Sequence, residues 1–236
     1  MKEMEEKKLL IPTPEIAAEI AAVYEAISNT NDEEKYMALC DKFNEYIGVY
    51  DLFNKSFEEG GKVGLKDMTG KILVPAMYAQ INNHFDYTCC RNMPVTAKDL
   101  NGKYGIVAAD GSGKQLCPFI YDYTAYIPWS NSYAARIGKK YAILNARGEV
   151  IVEPIADSYC ECMNGIIVFE SEGKYGLVTE YGTYAEPVYD EIDENDDAVY
   201  ATLGDKKGYI DEGGKFIDEN DEETLEEAVL LYWVCN

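Results

Sequence analysis

A short unit built around Lys-x-Gly recurs five times, and no other feature limits so strongly what this chain can fold into. Aligned on the glycine, the copies read Lys62-Val63-Gly64-Leu65, Lys103-Tyr104-Gly105-Ile106, Lys140-Tyr141-Ala142-Ile143, Lys174-Tyr175-Gly176-Leu177 and Lys206-Lys207-Gly208-Tyr209. A second glycine stands six residues on, at Gly70, Gly111, Gly148, Gly182 and Gly214, and a proline follows in the first four copies at Pro75, Pro118, Pro154 and Pro187. A period of roughly thirty to forty residues is the mark of a repeat architecture, in which each unit needs its neighbour to bury its apolar face. The distance between copies shrinks along the chain, so the longer insertions lie in the first two units.

Turn signals flank every copy. Gly60-Gly61, Asn101-Gly102, Gly138-Lys139, Glu172-Gly173 and Gly204-Asp205 stand just before the motif, where hairpins need backbone at positive φ. Between the turns lie runs such as Gly165–Phe169 and Ala198–Thr202, too short for helices and rich in β-branched residues, which read as strands. One unit is therefore a three-stranded antiparallel meander whose third strand ends at the proline, followed by a Tyr-Asp connection. The fold class expected is mainly β, with tandem three-stranded units in an open array; a propeller-like closure is the alternative.

This pattern resembles the WG-repeat family, whose units carry an aromatic-glycine pair after a lysine, a later glycine and a proline-tyrosine connection. The pair stands here as Tyr104-Gly105 and Tyr175-Gly176, with Tyr141-Ala142, Val63-Gly64 and Lys207-Gly208 as degenerate copies, and no copy keeps the tryptophan. The resemblance covers roughly residues 50–217 and implies a β-rich repeat module with no activity common to the family.

Helices are expected at both ends. Thr13-Pro14-Glu15 is a helix start, and Ile16, Ile20, Val23 and Ile27 follow at helical spacing. Asn31 and Glu34 open a second helix as a loose capping box, with Tyr36, Leu39, Phe43 and Ile47 on one face. Residues 1–48 then form a helical hairpin cap, 49–217 the repeat array, and 218–236 a short acidic helix cap opened by Thr224 and Glu227. The first ten residues lack a secretory start and no segment reaches eighteen apolar residues, so a cytoplasmic protein without a membrane span is expected.

The chemistry-bearing residues are sparse. His84 is the one histidine, and of seven cysteines none sits in a Cys-x-x-Cys; Cys160 and Cys162 share a strand face but lack further ligands for zinc. The acidic runs Asp193–Asp197 and Asp218–Glu222 lack the central glycine and closing glutamate of a calcium loop. No glycine-rich phosphate loop joins a strand to a helix. The expectation is thus no catalytic residue, no metal, no cofactor and no enzyme, with a hydrolase built on scattered carboxylates as the third choice.

Charge points to a partner instead. The formal net charge is −22. Residues 186–236 hold three lysines and seventeen acidic residues, so 3 − 17 = −14 of it is concentrated there. Such a surface repels nucleic acid and anionic lipid and attracts basic protein. The favoured reading is therefore a non-enzymatic scaffold for a basic protein partner. The alternative is carbohydrate or small-ligand binding through Tyr123, Tyr126, Trp129 and Tyr133, flat amphipathic rings close together on a β-surface.

Overall fold

A computed structural model describes residues 9–82, 93–162, 165–179, 182–194, 198–211 and 213–220. The chain divides into two compact units, residues 1–102 with 106–115, and residues 103–105 with 116–236. The carboxyl-terminal helix expected from Thr224 on, His84, and Cys89, Cys90 and Cys235 lie outside the described residues.

In the first unit, α1 spans Pro14–Ser28 and α2 spans Glu33–Ile47. Thr13 caps α1 through its hydroxyl, which accepts from Ile16 N at 3.4 Å. The cap of α2 is Asp32, not Asn31, because it is the Asp32 carboxylate that receives Lys35 N, at 2.8 Å. The two helices bury Ala17, Ile20, Val23 and Phe43 together with Leu52 and Met68. The ring of Tyr24 meets that of Phe43 at 5.4 Å. Tyr36, expected on the same stripe, is exposed at the start of α2.

The first sheet is β1 (Lys55–Glu59), β2 (Lys62–Lys66) and β3 (Ile72–Tyr78), in that order. The second is β4 (Gln80–Asn82), β5 (Val95–Lys98) and β6 (Tyr104–Val107), with the division between the units running through β6. The first sheet is the meander expected from the sequence; in the second the motif strand β6 is the last of the three, and the stretch through Pro118 meets it only by isolated bridges at Gln115 and Tyr121.

Among its described residues the second unit carries three four-stranded sheets, again in linear order. They are β7 (Tyr123–Ile127), β8 (Ser132–Ile137), β9 (Lys140–Leu144) and β10 (Val150–Ala156); then β11 (Ser158–Glu161), β12 (Ile166–Ser171), β13 (Lys174–Thr179) and β14 (Tyr184–Tyr189); then β15 (Glu191–Glu194), β16 (Val199–Leu203), β17 (Lys206–Ile210) and β18 (Phe216–Asp218). All the sheets are open, each with two distinct edge strands. The structure is mainly β, with repeated antiparallel sheets of three or four strands and a helical hairpin near the amino end.

The strand that the sequence reading did not expect is the outer one that opens each four-stranded sheet, β7, β11 or β15, and the prolines set a second difference. The strands do not end at the prolines: β3, β10 and β14 run through Pro75, Pro154 and Pro187. In each, the register slips across the proline, between Val74 and Tyr78, Val152 and Ala156, and Ala185 and Tyr189. A bulge takes the missing amide out of the ladder, and an outermost strand tolerates that loss. The chain then turns at one residue and enters the next sheet. The second copy departs again, because its turn closes between Ala108 N and Lys114 O. The other copies close over four residues, as Asp67 N does on Lys71 O, so Gly111 matches the repeat by spacing alone.

The core of the second unit lies between its sheets. Ile127, Ala134, Ile143 and Val152 of one sheet meet Ile167, Phe169 and Val178 of the next. On the opposite face of that middle sheet, Ile166, Leu177 and Ala185 meet Val199, Ala201 and Ile210. A sheet covered on both faces explains the unbroken apolar run Ile166–Phe169, where a half-exposed strand would alternate. Each buried aliphatic side chain contributes about 1.5–3 kcal/mol.

The motif glycine has a packing reason. Gly64 and Gly176 pair across the ladder with Phe57 and Phe169. A Cβ on Gly176 would stand 2.6 Å from Ala185 O and 2.7 Å from the Phe169 ring, so ring and glycine are one fitted pair. In the copy that carries Ala142, the cross-strand partner is Ala135. A small partner makes room for the methyl.

Candidate functional site

The polar framework of the repeat comes first, because it decides which acidic residues are engaged in holding the fold. At each corner that leads into a sheet of the second unit stands an aspartate. Lys103 Nζ donates to Asp122 Oδ1 at 2.7 Å, while Gly138 N donates to Oδ2 at 2.8 Å. Lys140 and Glu172 N serve Asp157 in the same way at 2.7 and 3.1 Å, and Lys174 and Gly204 N serve Asp190 at 2.5 and 2.9 Å. Each carboxylate thus ties the motif lysine of one copy to the hairpin turn of the next. The lysine hydrogen bond, seconded by the turn amide, holds all three carboxyls below their usual range. In the last sheet Asp218 is held down to about 2, first by Asn220 N and then by Lys206.

Neither Lys nor Asp was singled out by sequence reasoning as a pair. The signal was available: Asp follows Tyr121, Ala156 and Tyr189 at the same point of each copy.

The four aromatic candidates do not form one platform. Tyr123 pairs with Arg136, and Tyr126 pairs with Tyr133. Residues three apart on a strand point to opposite faces, so Tyr123 is parted from the other two. Tyr133 is fully buried and half-buried Tyr126 lies against it at 5.3 Å. Burial, then Tyr126 and Cys117, push the Tyr133 hydroxyl far up from its ordinary value. Tyr123 is 43 % exposed, edge-on to Tyr104 at 6.1 Å. Trp129, 65 % exposed, stands in the β7–β8 turn beyond the far end of the same strand. That turn is fastened by Ser130 N, which donates to Glu161 Oε1 at 2.9 Å. Burial raises the Glu161 carboxyl despite the amides that bind it.

The acidic stretch, in contrast, borders two hollows. One, about 640 Å³, lies where the sheet of β11–β14 meets that of β15–β18. Its apolar lining is Cys160, Cys162, Val168, Tyr175 and Ile192, and its acidic lining is Asp190, Glu191 and Asp193. The other, about 430 Å³, shares Glu191 and Asp193 and adds Tyr200, Lys207 and Glu219. The strand between the two hollows is β15, an edge strand with Glu191 and Asp193 exposed. Among the described residues no group of three or more His, Cys, Asp or Glu could hold a metal ion, and no helix is long and apolar enough to cross a membrane.

No family model and no curated protein matches the chain. Among solved structures, the crystal structure of HIRA(644-1017) is similar at 12 % identity and TM-score 0.31, over 56 % of this chain and 48 % of that one. A eukaryotic initiation factor matches at 8 % identity and TM-score 0.36, over 68 % and 50 %. The WD40 β-propeller domain of Doa1 matches at 9 % and 0.26, over 63 % and 56 %. The similarity spans about half of each of those chains, and at these scores it assigns neither an arrangement of the sheets nor a function.

Proposed function

We propose that this chain is a non-catalytic β-repeat scaffold, of diverged WG-repeat type, that binds a protein partner through a basic surface of that partner. One observation carries the reading: Glu191 and Asp193, exposed on an edge strand, border both hollows of the stretch that holds −14 of the −22 net charge. Asp190 and Asp218 are tied to lysines, whereas Glu191 and Asp193 face solvent. Like charge along an edge strand keeps copies of the chain apart. The same charge attracts cations over about a Debye length.

The test is a titration of fluorescein-labelled oligolysine at low and at physiological ionic strength, with the wild type and with Glu191→Lys/Asp193→Lys. Binding that weakens steeply with salt, and that the charge reversal abolishes, supports the reading. Binding indifferent to both sinks it. The exposure of Trp129 favours a second reading, a carbohydrate stacked on that ring. A glycan that quenches its fluorescence, with the effect lost in Trp129→Phe screened against the same glycan, would favour it over the first.

A further inference from the structure

We infer that the hollow between the sheets of β11–β14 and β15–β18 is a docking groove for an extended peptide whose apolar side chain is flanked by lysine or arginine. The inference rests on the acidic-scaffold reading and adds to it what electrostatics alone cannot supply, a site for a particular side chain.

The groove has two chemical halves. Cys162, Val168 and Ile192 are half-buried and pack on the core cluster of Ile166, Leu177 and Val199, so the floor is fixed by the fold. Cys160 is exposed beside them, directly opposite Val168 across the β11–β12 ladder and so on the same face of the sheet. At about 640 Å³ the space falls in the range, roughly 300–1,000 Å³, that accepts a small ligand or a few side chains. Glu191 and Asp193 border it, and among the described residues no lysine or arginine lines it. Apolar floor and anionic border together select a segment that is apolar at one position and cationic on either side.

The geometry also favours extended backbone. Glu191–Glu194 is the outer strand of its sheet, and an added strand would place alternate side chains toward the groove and away from it. A neutral apolar peptide would leave the carboxylates uncompensated. A purely cationic one would leave the floor in water. An acidic peptide is repelled.

Three fluorescein-labelled nonapeptides decide it: one alternating lysine and leucine, one alternating lysine and serine, and one alternating aspartate and leucine. The lysine–leucine peptide is expected to bind about tenfold more tightly than the lysine–serine peptide, one well-buried side chain being worth about that factor. It should also slow alkylation of Cys160 by iodoacetamide, followed by peptide mass mapping. Cys160→Trp, which fills the groove from an exposed position, should remove the tenfold preference and leave lysine–serine binding unchanged. Equal binding of the two lysine peptides, with Cys160 alkylated at an unaltered rate, overturns the groove while leaving the acidic scaffold intact. Failure of both lysine peptides to bind at low salt overturns the scaffold reading as well.

Discussion

The first sheet and the fourth are built from the same sequence unit yet are held in different ways. In the sheet of β11–β14, Lys174 reaches Asp190, whose second oxygen holds the turn at Gly204. The first sheet has Lys62 but Ala79 at the corner, where the backbone is otherwise alike: Ala79 N donates to Lys98 O as Asp190 N donates to Thr202 O. What fastens the first sheet to the helices is apolar and lies at the opposite end of its strands. Met68, in its second turn, is buried among Ile20, Val23 and Phe43 of the helices. A repeat inside an array can be fastened by polar links to copies on both sides, whereas the first repeat has an unlike neighbour on one side and meets it by hydrophobic burial.

Close packing at the motif glycine is the harshest way to break the likeness between copies. In Gly208→Ala the new Cβ would lie within bonding distance of Ile217 O. The melting temperature should fall by roughly 10 °C or more, whereas Ala142→Gly in the Ala–Ala copy should change it by only a few degrees. Circular dichroism melts of the two variants test the pair. Next comes the apolar end: Met68→Ala should cost about 2–4 kcal/mol in urea denaturation. A loss no larger than that of a surface substitution would mean that the helices do not hold the first sheet.

The polar links should matter less. Asp157→Ala removes the partner of Lys140 and of the Glu172 amide and should lower the melting temperature by roughly 2–4 °C. The converse sharpens the contrast, since Ala79→Asp should raise it slightly, and Lys62→Ala in the same chain should cancel the gain. Additivity of those two changes would show that no link had formed. Glu172 is a separate case. It sits at φ 54° in the β12–β13 turn, where a side chain is strained, so Glu172→Gly should stabilise by up to a few degrees while keeping its amide on Asp157.

Acid should show the smallest effect near neutrality. The carboxyls of Asp122, Asp157, Asp190 and Asp218 lie below their ordinary value in the fold, so their contribution is complete above about pH 4 and fades as pH falls toward the folded values. The side-chain carbon shift of Asp218 should titrate with a midpoint near 2. Asp122→Asn/Asp157→Asn/Asp190→Asn should flatten the decline of stability below pH 4; a decline as steep as the wild type's would assign it to other groups.

Much of this was open to reading from local residues. Glycine pairs and Lys-x-Gly placed the hairpins, because turns at positive φ admit few residue types. The amino-terminal helices followed from period and caps, with an error of one residue at Asp32. The fourth strand was missed because the residues after each corner were taken as a connection, and the third strand was cut short because proline was taken as an end, although an outermost bulged strand accepts it. The separation of Tyr123 from Tyr126 was readable from their spacing of three; the burial of Tyr133 was not, since it depends on pairing across the hairpin and on what packs above it.

By itself, then, the sequence determined the repeat, the strand class, the turns and the total charge, all set by neighbours along the chain. Only the tertiary structure decided which acids are tied to lysines and which border a groove, and which aromatic rings reach water. Those outcomes depend on register, and a shift of one residue exchanges the faces of a strand. Asp190 and Glu191 are adjacent carboxylates of one acidic stretch. One fastens a turn, and the next lies open beside an apolar floor.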